Sequence, residues 1–280
     1  MSSRRNFLRS SAFTIAASRL PFQKSAFAPG WNAFDPSDSL QMGIAGYTFH
    51  NISLEDSIGM MKQVNMHAMS IKDFHLPLNS DQAKIDEVLG KFKAADIQIY
   101  AAGVIYMKSN AEVDQAFDYA RRIGVPMIVG SPNRELLPYV EQRVKKDNIK
   151  LAIHNHGPED KMYPGPKDVY DAIKGMDNRI GLCFDIGHGI RAGADPAKAT
   201  KDFSSRLLDM HIKDLAANTS SDQAIEMGRG IIDFPSLVRA LKEIKYSARC
   251  SIEYEQQVKD PLPGIAESVG YFRGVMKTLG

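Results

Sequence analysis

The chain has little of what defines several common classes of protein. Its 280 residues include only two cysteines, Cys183 and Cys250. Both lie inside apolar runs, so neither a disulfide scaffold nor a cysteine zinc site is expected. Charge of neither sign predominates, because the formal net charge is only +2. With 44% hydrophobic residues, the composition instead predicts a soluble, globular chain with a substantial core.

The N-terminal segment differs from the rest of the chain. Its first 28 residues carry five basic residues and no acidic one. Ser3-Arg4-Arg5-Asn6-Phe7-Leu8 resembles a twin-arginine export signal, and Ala26-Phe27-Ala28 has the small-x-small form of a cleavage site. A basic disordered tail or a membrane anchor is the alternative, but the apolar run from Ala12 to Ala17 is far shorter than the roughly 20 residues of a membrane span. We therefore expect a signal peptide over residues 1–28, a linker over 29–40 and a periplasmic or otherwise exported domain over 41–280, with no stable membrane anchor.

Export changes the charge of the mature protein. Removal of the five positive charges turns the formal net charge of +2 into −3. A negatively charged protein is repelled by phosphate backbones, so nucleic acid is not expected as a partner.

Short apolar runs alternate with longer amphipathic segments along the rest of the chain. Eight of these runs are predicted to be strands: Met42–Tyr47, Ala68–Lys72, Ile97–Gly103, Met127–Gly130, Ile149–His154, Ile180–Asp185, Leu207–Ile212 and Cys250–Tyr254. Helices are predicted over Leu54–Val64, Asp81–Ala95, Ala111–Arg122, Asn133–Lys146, Lys167–Gly175, Pro235–Lys245 and Ile265–Thr278. A doubly wound sheet would usually have a glycine-rich phosphate loop after its first strand, and Gly43-Ile44-Ala45-Gly46 lacks that spacing. The pattern therefore predicts an α/β fold, a single (β/α)8 TIM barrel.

Four of the last predicted strands end in residues that commonly bind metals: His154, Asp185, His211 and Glu253. In a barrel of this kind the active site lies at the C-terminal ends of the strands, where these side chains would converge. A single such residue usually forms a structural hydrogen bond. Two imidazoles and two carboxylates around one cation satisfy one another, so the four together predict a metal site.

The alternation of side chains along these strands predicts which residues face inward. Small or polar residues share the face of the four candidate ligands: Ala152, Cys183, Asp209 and Ser251. The opposite face is expected to pack on the helices and holds Leu151, Ile153, Leu182, Phe184, Leu208, Met210, Cys250 and Ile252. The two cysteines therefore lie on different faces, which again argues against a disulfide.

Several motifs resemble those of the xylose-isomerase-like superfamily of sugar isomerases, epimerases and inosose dehydratases. They are Asp185-x-x-His188, His211-Ile212-Lys213-Asp214, Gly228-Arg229-Gly230-x-x-Asp233-Phe234 and Ile252-Glu253. The resemblance implies that one divalent metal is held by Glu, Asp, His and Glu from strands five to eight, with the two glutamates acting as acid and base on opposite faces of a sugar. Asp185, His211 and Glu253 match three of these ligands, and Glu253 is also the candidate base.

The chain departs from that family pattern at strand five, where it has His154 instead of glutamate, with His156 on the same face. We expect His154 to be the fourth ligand, although His156 remains an alternative. Two histidines and two carboxylates favour Mn²⁺, Co²⁺ or Zn²⁺ over Mg²⁺ and Ca²⁺.

Other polar residues lie where a substrate would bind. His188 and Lys213 are candidate catalytic residues, and Lys72, His75, His156 and Arg229 are candidate substrate-binding residues. Lys72 and Arg229 could instead be charged loop residues that face the solvent and do not contact a substrate. Tyr47, Phe49 and Tyr106 could stack on a sugar or pack at the barrel rim.

The combined pattern predicts a metal-dependent enzyme that removes a proton next to a sugar carbonyl. Export favours a small carbohydrate without phosphate, such as a keto-sugar or a 3-keto-glycoside. With one carboxylate base, β-elimination by a lyase is favoured over a ketose epimerase or aldose–ketose isomerase. A carbohydrate-binding barrel without catalysis remains an alternative function. The sequence is also compatible with an oligomer. An endonuclease resembling abasic-site nucleases would need more zinc ligands and a less negative charge.

Overall fold

The structure is a computed structural model that describes residues 40–219, 224–256 and 259–279. Within these ranges, eight parallel strands close into a barrel: β1 (Gln41–Ala45), β2 (Ala68–Ile71), β3 (Gln98–Met107), β4 (Met127–Pro132), β5 (Lys150–His154), β6 (Ile180–Asp185), β7 (Leu207–Ile212) and β8 (Arg249–Ile252). Neighbours in the chain are neighbours in the barrel, and β1 pairs with β8 to close it. The prediction of an eight-stranded α/β barrel is thus confirmed. The predicted signal peptide and nearly all of the predicted linker lie outside the described residues.

Helices follow the strands and surround the barrel. Those in the described part of the chain are α1 (Leu54–Gln63), α2 (Gln82–Ala94), α3 (Asn110–Ile123), α4 (Leu137–Asp147), α5 (Pro166–Ile173), α6 (Ile186–Arg191), α7 (Pro196–Asp202), α8 (Phe234–Glu243) and α9 (Leu262–Thr278). Several begin at a side chain that accepts a hydrogen bond from the first turn, as Ser53 does at α1 and Asp81 at α2. Among the described residues no helix is both long and apolar enough to cross a membrane.

The connections after β6 and β7 are more elaborate than the sequence predicts. Two short helices, α6 and α7, replace a simple loop after β6. After β7, Asp214–Leu215 pairs with Ala224–Ile225 in an antiparallel hairpin. The two helices and the hairpin strands are too short to show a recognisable hydrophobic periodicity in the sequence. Strand β3 also runs past the predicted end at Gly103, to Met107.

The predicted inward and outward faces are confirmed with one exception. Ala152 and Cys183 belong to a small apolar cluster in the barrel interior, whereas Cys250 packs with the helices, and both cysteines are free. Leu208 was predicted to face outward but packs against the interior cluster. The pairing of β6 with β7 shifts there, since Leu182 pairs with Leu207 and Cys183 with Asp209, and this irregularity reverses the direction of Leu208.

Candidate active site

The four candidate metal ligands meet at the C-terminal mouth of the barrel. We call them the donor set: His154, Asp185, His211 and Glu253. Their facing atoms are close together. His154 Nε2 lies 3.1 Å from His211 Nδ1, 3.4 Å from Asp185 Oδ2 and 3.8 Å from Glu253 Oε2, and His211 Nδ1 lies 3.2 Å from Glu253 Oε1. All four residues are buried. The structure therefore brings together the residues that the sequence singled out on four separate strands.

The spacing within the donor set fits a small divalent cation. Ligand atoms about 2.1 Å from a metal ion lie roughly 3.0 to 3.5 Å from one another, which is close to the distances observed here. Asp185 Oδ2 and Glu253 Oε2 are both buried atoms. Their contacts are with imidazole nitrogens and one ammonium group. One ammonium balances only one of these two buried carboxylates, and a bound cation would balance the other, so the residues present fit a metal.

The fold fixes the orientation of Asp185 before any metal binds. Its Oδ1 caps helix α6 by accepting a hydrogen bond from the His188 backbone, at 2.8 Å, which leaves Oδ2 for the donor set. The Asn155 side chain bonds both the backbone N–H and the carbonyl of Asp185, at 2.9 and 3.0 Å. Asn155 was not among the predicted site residues. Its only distinguishing feature in the sequence is that it directly follows His154, the candidate ligand that ends β5.

Lys213 lies deeper in the site than a substrate-contacting residue would. Its ammonium is 3.0 Å from Asp185 Oδ2 and 2.9 Å from Glu253 Oε2, and it also contacts the Glu255 carboxylate. Its aliphatic chain passes Gly187, where a Cβ would lie 2.6 Å from Lys213 Cγ. Gly187 is thus required by close approach. Because Lys213 contacts the two carboxylate oxygens that face the other members of the donor set, it changes the charge of the ligands themselves.

The charged groups at the site keep the two carboxylates ionised. Burial alone would raise the pKa of Asp185 and of Glu253, but the Lys213 ammonium and the neighbouring histidines together more than offset it and hold both pKa values below their usual range. Burial lowers the pKa of His154, which favours the neutral imidazole that a metal needs. Burial opposes protonation of His211 as well, but the ionised Glu253 carboxylate beside it raises its pKa, so metal binding there would release a proton.

Cys183 offers a second possible ligand group together with His154 and His211. Burial raises the pKa of its thiol to about 12, so it is a neutral thiol at physiological pH. The two ionised carboxylates are therefore the better partners for the two histidines, in line with the expectation that no cysteine zinc site forms.

His156 and His188 flank the donor set. The His156 ring lies 4.5 Å from that of His154, and the His188 ring lies 6.0 Å from it. Burial lowers the pKa of His156 to about 4 and that of His188 to about 3, so both are neutral near pH 7. His156 also bonds the Tyr106 hydroxyl, at 2.9 Å. Both histidines thus lie where the sequence predicted catalytic or substrate-binding groups.

Three predicted substrate-binding residues have other partners in the structure. The Lys72 ammonium donates to the Val104 carbonyl at 2.8 Å and pairs with Asp73. His75 is buried, bonds Ser57 and packs edge-on to Phe49 and Phe74. Phe49, proposed as a stacking residue, is fully buried in the outer core, so it does not face a substrate.

Arg229 is turned away from the donor set by the loop that carries it. The Asp214 carboxylate accepts hydrogen bonds from the backbones of Gly228, Gly230 and Ile232, at 2.9, 2.9 and 3.2 Å. A Cβ at Gly230 would lie 2.2 Å from Asp214 Oδ1. The side chain of Arg229, 61% exposed, forms two 2.6 Å hydrogen bonds with Glu267 of α9. The Gly-Arg-Gly motif here serves to fold the loop onto Asp214.

Glu255 is the main site residue that the sequence analysis did not single out. It follows Glu253 by two residues, so both carboxylates share a face, and this parity was the available signal. With His211 neutral, as metal binding requires, Asp185, Glu253 and Glu255 give three carboxylates against the one ammonium of Lys213, a formal charge of −2 that one divalent cation would neutralise.

Comparison with known proteins assigns the fold to a family. A family model described as a xylose isomerase-like TIM barrel matches residues 63–275. An inosose dehydratase of Clostridium botulinum strain Alaska E43 is 27% identical over 142 residues, which cover 44% of this chain and 44% of that protein. The chain thus spans less than half of the length of the curated relatives that it matches.

This chain matches two solved structures of the same fold over almost the whole length of each. The IOLI protein with a bound zinc atom gives a TM-score of 0.72 at 16% identity, over 86% of this chain and 99% of that one. The 3-keto-D-glucoside 4-epimerase YcjR of E. coli gives 0.68 at 16% identity, over 84% and 99%. At these identities the likeness shows the fold alone. Since the family model covers well over half of the residues, the chain belongs to the xylose isomerase-like TIM barrel family.

Proposed function

We propose that this protein is an exported, divalent-metal-dependent lyase that acts on a keto-sugar without phosphate, with 3-keto-glycosides as the substrate class. It removes a proton next to the carbonyl and expels the substituent on the next carbon. The observation that carries this proposal is the make-up of the donor set, in which strand β5 supplies His154 instead of a carboxylate.

The donor set would hold the metal, and Lys213 would adjust its charge. Bound there, a Mn²⁺, Co²⁺ or Zn²⁺ ion would polarise the substrate carbonyl and stabilise the negative charge that develops on it. The chain contributes a site of formal charge −2 in which both carboxylate ligands are ionised. The local similarity to inosose dehydratases supports a reaction that loses a leaving group.

Glu253 is the proposed base. In a 3-keto-glycoside it would take the proton on C2, next to the C3 carbonyl, and the electron pair left behind would form the C1–C2 double bond as the C1–O bond breaks. The departing oxygen would take a proton from the His188 imidazole, which flanks the donor set. Because the pKa of Glu253 is held low by Lys213 despite burial, Glu253 is a weak base and depends on a polarised, more acidic substrate.

Epimerisation would need a second group on the opposite face of the sugar to return a proton to carbon. His154 Nε2 points into the donor set, within 3.4 Å of Asp185 Oδ2, and so would be occupied by the metal. Glu255 follows Glu253 by two residues beyond the end of β8, and both carboxylates contact the same Lys213 ammonium, so Glu255 does not provide the opposite face. Elimination needs only the base and a proton donor, and the site offers both.

The test is incubation of the metal-loaded protein with a 3-keto-glycoside in D₂O, with the products followed by NMR and mass spectrometry. We expect release of the aglycone and an unsaturated keto-sugar, both abolished in Glu253→Gln. An epimer that carries deuterium and keeps its aglycone would instead assign the protein as an epimerase. Stoichiometric metal with no turnover of any keto-sugar would favour a binding protein.

A further inference from the structure

Large exposed apolar side chains are concentrated on one face of the barrel. In the described part of the chain they are Tyr47, Phe74, Tyr106 and Ile231, with exposed fractions of 39 to 54%. Tyr47 and Phe74 follow β1 and β2, Tyr106 is near the end of β3, and Ile231 lies in the loop after the hairpin that follows β7. All four are therefore on the face that carries the donor set. Exposed aromatic side chains gathered in one place commonly mark a binding surface.

Tyr47 and Tyr106 lie at the edge of the site itself. The Tyr106 ring stacks on His156 with centroids 5.3 Å apart, and His156 in turn lies 4.5 Å from His154. Thr48, the residue after Tyr47, bonds the backbones of Ile252 and Tyr254 on either side of Glu253, at 3.0 and 3.1 Å. A ligand over the donor set would therefore have both aromatic rings within reach.

The aromatic surface continues outward from Tyr47. His50 stacks on Tyr47 with centroids 5.2 Å apart and planes 26° apart, and Phe74 meets His50 edge-on at 5.9 Å. These contacts join Tyr47, His50 and Phe74 into one row of rings at the mouth of the barrel. The rings of Tyr47, His50 and Phe74 contact one another and Tyr106 stacks on His156, so the surface keeps its shape without a ligand, which lowers the entropic cost of binding. We call Tyr47, His50, Phe74 and Tyr106 the aromatic rim.

We infer that the aromatic rim is a subsite for the aglycone of a glycoside, and that this aglycone is planar and apolar, preferably aromatic. Stacking on tyrosine and phenylalanine selects such a group, and the carboxylates of Glu253 and Glu255 beside it would repel an anionic one. The inference deepens the proposed function by specifying the substrate. It concerns binding alone, however, and so can be tested without turnover.

The experiment measures binding of two glucosides that lack the ketone and so cannot react, 4-nitrophenyl and methyl glucoside of the same anomer, to metal-loaded protein by calorimetry. We expect the nitrophenyl glucoside to bind at least about tenfold more tightly than the methyl glucoside. This preference should fall several-fold in Tyr47→Ala and in Tyr106→Ala. It should persist in Tyr47→Phe and Tyr106→Phe, which keep the rings. Ile231→Ala is the matched control, because it removes an equally exposed apolar side chain after β7 and should leave the preference unchanged.

Several results would overturn the inference. They are equal affinity for the two glucosides, no binding of the nitrophenyl glucoside, or an equal loss of preference in Ile231→Ala. A further such result would be a wild-type dimer in sedimentation that is lost in Tyr106→Ala, together with no preference for the nitrophenyl glucoside. It would assign the aromatic rim to contact with a second copy of the chain. If the D₂O experiment yields an epimer while aryl preference persists, the lyase assignment fails and the subsite stands.

Discussion

Lys213→Met separates the role of the Lys213 charge from that of its bulk. Methionine preserves most of the aliphatic chain that passes Gly187 but removes the ammonium that contacts Asp185, Glu253 and Glu255. We expect two opposite effects. The metal-free protein should lose stability, because buried carboxylates lose their counter-ion, and the affinity for a divalent cation should rise, because the ammonium no longer competes for the same oxygens.

The distances give the size of both effects. At an effective dielectric constant of about 20, each ammonium–carboxylate contact near 3 Å has a Coulomb attraction of about 5.5 kcal/mol before desolvation. In Lys213→Met the metal ion no longer competes with the ammonium for these oxygens. If it gains a quarter of the Coulomb attraction of one contact, the free energy of metal binding improves by about 1.4 kcal/mol, or tenfold in affinity. Breaking a buried ion pair typically costs about 3 to 5 kcal/mol, which in a domain of this size lowers the Tm of the metal-free protein by roughly 6 °C or more.

The assay is calorimetric titration of chelator-treated protein with Mn²⁺ or Zn²⁺, together with thermal unfolding with and without metal. Lys72→Met is the matched control, since that ammonium contacts the Val104 carbonyl and Asp73 instead of the donor set. In Lys213→Met the Kd for metal should fall at least tenfold, and added metal should restore the lost Tm. A Kd within twofold of the wild-type value, or a weaker one, would refute this account of Lys213.

Three further predictions follow from the same geometry. Alanine at Asp185, His211 or Glu253 should lower bound metal from about one ion per chain to a small fraction of that, measured by elemental analysis, because each removes a ligand atom; full retention in all three would refute the donor set. Arg229→Ala should change kcat/KM less than twofold, because its side chain pairs with Glu267 at the surface; a tenfold loss would return it to the substrate site. Burial lowers the pKa of His75 to about 4, so the unfolded state takes up a proton that the folded state does not, and stability falls as the pH drops below about 6.5. Between pH 7 and pH 5, His75→Phe should lose about 2 kcal/mol less of its free energy of unfolding than the wild type does. Equal pH dependence of stability in both proteins would contradict this.

Patterns that repeat along the chain could be read directly from the sequence. The alternation of apolar runs and amphipathic segments indicated eight strands, and side-chain alternation placed Ala152 and Cys183 inside and Cys250 outside. Because parallel strands in a closed barrel share one end, residues that end β5 to β8 had to meet. The convergence of His154, Asp185, His211 and Glu253 followed from that topology.

Contacts between residues distant in the chain were decided by tertiary structure alone. The irregular pairing of β6 with β7 reversed Leu208, and the hydrogen bonds of the loop to Asp214 directed Arg229 towards Glu267. The position of Lys213 against Asp185, Glu253 and Glu255 likewise depends on three strands and on the space left by Gly187. Local sequence determines the period of an element and the residues on each of its faces. The partner of a long charged side chain depends on which groups the whole fold brings within its reach, and no local pattern contains that information.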